Sequence, residues 1–194
     1  MQTQQLINGT ANPLLQLDIL EAAKANKSGK LAQMTLDYEA SRAESASVDR
    51  FPELLDGGDA MVGESIFRTS YTAQCIRCHK LGQVGGDVGP SLNGVASRLD
   101  ERAMLESLIE PQAKIADGYG LTTFTMKNGE IFTGSIEKKS ANFFSIKDQS
   151  GARILIKTAD IKSSSKSVSS MPPMMGILAP RDLRDLVAYM KTLK

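Results

Sequence analysis

The sequence predicts a mainly α-helical protein carrying a small inserted β module. Three observations carry this. Apolar residues recur at three- and four-residue spacing before position 110 and again after position 180. Between them lie short β-branched and aromatic runs separated by turn residues. Hydrophobic residues make up 41% and charged residues 23% of 194, a balance that suits a buried core.

Residues 12–47 read as two helices. Asn12 is a capping residue and Pro13 suits the first helical position. Leu15, Ile19 and Ala22 or Ala23 form an apolar stripe, and the run NKSG at 26–29 ends it. Leu31, Met34 and Tyr38 mark one side of the second helix. Two short amphipathic helices cannot bury their faces alone, so they pack on the rest of the chain or close a helical array. Residues 48–58 read as a linker. A helix then starts at the N-cap Asp59, with Met61, Ile66 and Phe67 as apolar surface and Gly63 as a point of close approach. The glycine-rich stretch 82–94 is an irregular loop. Asp100 caps the next helix, Met104, Leu105, Leu108 and Ile109 are its stripe, and Pro111 stops it.

Asn128-Gly129 separates two strand-like runs, a strong hairpin pattern. A second hairpin turns between Asp148 and Gly151, and residues 159–163 add a short fifth strand. The expected insert is a four- or five-stranded sheet or barrel over about 118–165, with Met126 in its core. The serine-rich run 163–170 reads as a flexible connector. Pro180 opens a last helix with Leu183, Leu186, Val187 and Met190 inward. The division is an N-terminal helical segment, 1–50, and a second unit, 51–194, that contains the β insert.

Net charge is +1, so nothing global draws the chain to nucleic acid or an anionic surface. Residues 120–162 hold seven Lys or Arg against four acids, a modest excess with no basic-aromatic platform. No apolar run would span a bilayer. The first fifteen residues lack the basic-then-apolar pattern of a signal peptide, as expected of a mature, trimmed or partial chain. With no Trp, the aliphatic residues and nine methionines fill the interior.

Both cysteines and the only histidine fall in CIRCH, residues 75–79. This pattern reads as attachment of one c-type haem. Residues three apart share a helical face, so Cys75 and Cys78 can reach two vinyl groups of one porphyrin, with His79 beneath the iron. A structural zinc site usually takes four ligands, and only three exist here. A thioredoxin-like pair needs a βαβ setting, which the pattern lacks. An ordinary buried thiol pair would not explain the glycine-proline loop that follows. With no second histidine, the second axial ligand is a methionine from one segment: Met171, or alternatively Met174 or Met175. Pro172 restricts the backbone of Met171. No acid-base group stands out, so the expectation is an electron carrier rather than an enzyme. The rival is a gas- or peroxide-reactive haem with an open or labile sixth site.

Several segments resemble class I c-type cytochromes. GESIF at 63–67 is similar to their N-terminal helix, with Gly63 and Phe67 facing Tyr189 of LVAYM in the C-terminal helix. GPSL at 89–92 looks like their proximal loop, which implies a Pro90 carbonyl accepting from His79 and Leu92 against the haem. SMPP at 170–173 looks like their Met-Pro segment, which implies Met171 as ligand. Across nearly the whole chain, including IEPQAKIADGY, the closest resemblance is to the planctomycete-type haem-binding CxxCH domain. That resemblance implies a class I helical core around one haem and two extra N-terminal helices ending a helical-repeat array. It further implies a periplasmic or secreted location, and electrons from a redox partner protein or a fused dehydrogenase domain. Two departures stand out. Ala179 replaces the usual Ser or Thr cap, at a cost of about 1 kcal/mol. Pro173-Met174-Met175 replaces the usual Glu-Gly.

Overall fold

The computed structural model describes residues 2–26, 29–42, 47–148 and 150–194. Among these are seven α-helices and a six-stranded antiparallel sheet, so the architecture is mixed rather than mainly helical. The helices are α1 (Gln2–Ile7), α2 (Gln16–Ala25), α3 (Gly29–Ala40), α4 (Ala60–Thr69), α5 (Cys75–Cys78), α6 (Glu101–Ile109) and α7 (Pro180–Thr192).

The largest core forms where α4, α6 and α7 meet. Asp100 Oδ1 accepts the Ala103 amide at 2.8 Å, which starts α6 where the sequence places it. Met104, Leu105, Leu108 and Ile109 are then all buried. Leu183, Leu186, Val187 and Met190 bury the facing side of α7. Asp59 Oδ1 caps α4 by accepting from Met61 and Val62, while Asp185 of α7 accepts the Asp59 amide at 2.8 Å. The two helices touch at Gly63, where a Cβ would lie 2.8 Å from Tyr189 Cβ and collide with the Asp185 backbone. One turn on, the Phe67 and Tyr189 rings pack at 5.9 Å between centroids. Met61, expected to supply core surface, is instead 82% exposed. It sits in the first turn, on the side of α4 away from the inward Gly63 and Phe67.

The N-terminal region departs from the sequence reading in three ways. The extra helix α1 brings the described N-terminal helices to three. Asn12 does cap, but the chain it starts is a 3-10 turn at Pro13–Leu15, and α2 begins only at Gln16. This offset rotates the buried face to Leu17, Leu20 and Ala23 and leaves Leu15 exposed. The expected helix end at Lys27-Ser28 lies outside the described residues. Third, residues 48–58 are no free linker. They form 3-10 turns at Ser47–Arg50 and Pro52–Leu54, and Val48 and Leu54 enter the main core. Leu17 joins the same core. Ion pairs reinforce the junction: Arg181 to Asp18 and to Glu21, each at 2.6 Å, and Arg42 to the buried Glu53 at 2.8 Å.

The strands are β1 (Gly120–Met126), β2 (Ile131–Lys139), β3 (Phe143–Lys147), β4 (Arg153–Lys157), β5 (Ile161–Ser164) and β6 (Val168–Ser169). Their order is β4-β3-β2-β1-β5, with β6 also pairing to β1. Gly129, at φ 91°, makes the first hairpin turn, a conformation that glycine adopts without strain. Phe124, Met126, Ile146 and Ile156 are buried in a cluster made only of strand residues, separate from the helical core. The expected four or five strands are six, and the insert runs past 165. Val168 and Ser169, assigned to a flexible connector, pair with Leu121 and Gly120. Serine-rich composition hid a two-residue strand whose pairing comes entirely from β1.

Candidate functional site

The single helical turn α5 puts Cys75 and Cys78 one turn apart, the first half-buried and the second exposed. Gln74 just before it adopts φ 49°, the one positive-φ non-glycine among the described residues. Such backbone strain persists only where the surroundings impose it. Here the Gln74 carbonyl accepts the Arg77 amide at 3.0 Å, and its side chain donates to the Tyr71 carbonyl at 2.8 Å. Burial pushes the Cys75 thiol up from its ordinary pKa, and the neighbouring Cys78 adds to the rise.

The loop at 82–94 folds back over this turn. Gly86 N–H donates to Ile76 O at 3.0 Å, Gly89 N–H to Cys78 O at 2.8 Å, and Leu92 N–H to Lys80 O at 2.9 Å. Its glycines are needed for space: a Cβ on Gly86 would meet the Arg77 carbonyl, and one on Gly85 the His79 carbonyl. At Gly89 a Cβ would lie 2.6 Å from His79 Cε1, so the bare backbone packs directly against the imidazole.

His79 Nδ1 lies 2.8 Å from the Pro90 carbonyl oxygen. A carbonyl only accepts, so Nδ1 carries a proton, and in the neutral ring the free lone pair is on Nε2. This is the contact that the resemblance of GPSL implied. His79, Cys75 and Cys78 line a cavity of about 490 Å³. Pro90 and Leu92 line it from the loop, Met104 and Leu108 from α6, and Leu186 and Met190 from α7. Met171 and Met174 also line it, and Met175 does not. Met174 is 3% exposed and its amide donates to the Leu108 carbonyl at 2.7 Å. Met171 is half-buried. Met175 packs against the helical core and bridges to Leu178. Two of the three candidate methionines, Met171 and Met174, thus share a cavity with His79.

Among the described residues, no group of three or more His, Cys, Asp or Glu side chains is placed to hold a metal ion. None of the described helices is long and apolar enough to cross a membrane. The β module reaches the loop through Lys147, whose ammonium lies 3.1 Å from Asp87 Oδ2 and holds that carboxyl below its ordinary pKa.

The chain matches no family model and no curated protein. Sequence reading missed Gln112, whose side-chain amide bonds both the N–H and the C=O of Ser169. No local pattern could have marked it, because its partner lies 57 positions away.

Proposed function

We propose that this chain is a monohaem c-type electron carrier. In this reading residues 59–194 form a class I cytochrome core, as in the planctomycete-type haem-binding domains. One observation carries it: His79, held through Nδ1 by Pro90 and free at Nε2, lines one largely apolar cavity with both thiols and Met171. The residues fit the group. Two thiols one helical turn apart match its two attachment points, the His79 imidazole and a methionine thioether would be its iron donors, and aliphatic walls suit a flat apolar macrocycle.

When bound, haem supplies a one-electron ferrous–ferric couple. The chain's residues do the rest. Cys75 and Cys78 would hold the group covalently, each thiol adding across one of its vinyl groups to give a thioether. Pro90 fixes the ring plane of His79 and raises its donor strength. Met171 would hold the group as a thioether donor, and with the His79 imidazole it would favour a higher reduction potential than two nitrogen ligands. Leu92, Met104, Leu108 and Leu186 give the cavity apolar walls. Electrons come from a redox partner protein or a fused dehydrogenase domain. The location is periplasmic or secreted, where haem c is attached.

The test is expression in a host with c-type haem maturation. The expected product carries one haem that survives denaturing electrophoresis, and the Cys75→Ala/Cys78→Ala double variant carries none. A wild-type chain without covalent haem refutes the reading. Met171→Ala should abolish the ferric methionine-to-iron charge-transfer band while Met174→Ala retains it. The reverse result moves the ligand to Met174. A second reading, a gas- or peroxide-reactive haem, draws on the half-buried state of Met171. Rapid stoichiometric carbon monoxide binding to the reduced wild type at neutral pH would favour it.

A further inference from the structure

The segment carrying Met171 and Met174 is fastened at one end to the last turn of α6 and at the other to the turn that follows it. At its far end, Met174 N–H donates to the Leu108 carbonyl at 2.7 Å. Leu108 lies in the last turn of α6, where carbonyls have no partner within the helix. At its near end, the Gln112 side chain donates from Nε2 to Ser169 O at 3.1 Å and accepts the Ser169 amide at Oε1 at 2.9 Å. The carboxamide therefore bonds Ser169 as a neighbouring strand would. It extends the β6–β1 ladder, in which Ser169 faces Gly120. The Ser169 hydroxyl then accepts the Met171 amide at 3.2 Å. The hydrogen bonds run from Gln112 to Ser169 to Met171, and Met171 lines the cavity.

We propose that Gln112 is a positioning residue for the axial methionine, holding Ser169 so that the Ser169–Met174 segment stays closed over the cavity. This rests on the haem reading above. The amide is needed in full: a donor alone or an acceptor alone would satisfy only one of the two Ser169 groups. Gln112 is exposed, so each of its two bonds falls at the lower end of the usual range. Losing both should raise the fraction of detached segment about fivefold.

The experiment uses the matured holoprotein with Gln112→Leu, which keeps the bulk, and Gln112→Glu, which keeps only the acceptor. Covalent haem content and far-UV circular dichroism should match wild type. Carbon monoxide association with the reduced protein should be about fivefold faster in Gln112→Leu, as expected for two lost hydrogen bonds, and less accelerated in Gln112→Glu. The ferric charge-transfer band should weaken in the same order. Amide exchange at Ser169 and Met171 should quicken in both variants. Association rates within twofold of wild type and an unchanged band, with haem attached, overturn the positioning role alone. Should Gln112→Leu fail to fold, Gln112→Glu decides by the same readings. A wild-type chain without covalent haem overturns the haem reading and takes this proposal with it.

Discussion

Replacing Gly63 with alanine tests the helix crossing on which the cavity depends. Helix propensity alone favours alanine by about 1 kcal/mol in a helix interior. The structure opposes it. The new Cβ would lie 2.6 Å from the Asp185 carbonyl carbon and 2.8 Å from Tyr189 Cβ, where ordinary contact begins near 3.4 Å. The nearest atom is the Asp185 carbonyl oxygen, so no rotamer change relieves the clash, and α4 and α7 must separate by about an ångström or more. That strains the Asp185–Asp59 bond and the Phe67–Tyr189 packing. Overpacking of this kind costs about 3 kcal/mol at the upper end of its usual range. The net expectation is a loss of about 2 kcal/mol, or about 4–8 °C in melting temperature for a chain of this size. The assay is thermal and urea unfolding followed by circular dichroism. Gly29→Ala serves as the control: its Cβ meets nothing within 4 Å at the start of α3, so it should be neutral or slightly stabilising. A Gly63→Ala protein that melts at or above the wild-type temperature refutes the close-contact argument.

Two further outcomes follow from the helix ends and the ion pairs. The Asp182 carboxylate already accepts the Ala179 amide at 3.1 Å, but Ala179 has no side-chain oxygen to return the bond. Ala179→Ser should complete the reciprocal cap on α7 and raise stability by about 1 kcal/mol in urea unfolding. The Arg181 guanidinium beside Asp18 holds that carboxyl below its ordinary 3.8, with Arg184 adding to the effect. A depressed carboxyl contributes stability that is present above its unfolded value and lost as pH falls through the lower folded one. Wild type should therefore be more stable than Asp18→Asn at neutral pH, and the gap should close as pH drops below 3.8. A gap that persists at the acid end would assign the effect to packing rather than charge.

Strong local patterns were readable in the sequence. Asp59 and Asp100 mark helix starts because a cap acts within three residues, and Pro180 marks a third because its fixed φ suits the first helical position. Asn128-Gly129 marks a hairpin because the turn needs a positive φ at glycine. The features that escaped depend on distant partners. β6 is strand only because β1 lies beside it. Residues 48–58 look like a linker, yet Val48 and Leu54 find the helical core. At Asn12-Pro13 the cap was legible, but not the 3-10 turn that delays α2 and rotates its buried face. At the candidate site, Cys75, Cys78 and His79 were legible as adjacent residues, and Pro90 through resemblance. Gln112 was not, because its role is set by Ser169.

The pairing of Gly120 with Ser169 also bears on how the chain closes. His79 and Met171 border one cavity although 92 positions separate them. An open chain of that length carries the full entropy of a long loop. The strands between them pair mostly with their sequence neighbours and build a core of their own. Once they fold, residues 120 and 169 are neighbours, and the flexible path from one side of the cavity to the other is about halved. Halving a loop lowers its closure cost by about 0.6 kcal/mol. The sheet is thus a short-cut for the polypeptide: once its strands are paired, the helices have a shorter search for each other.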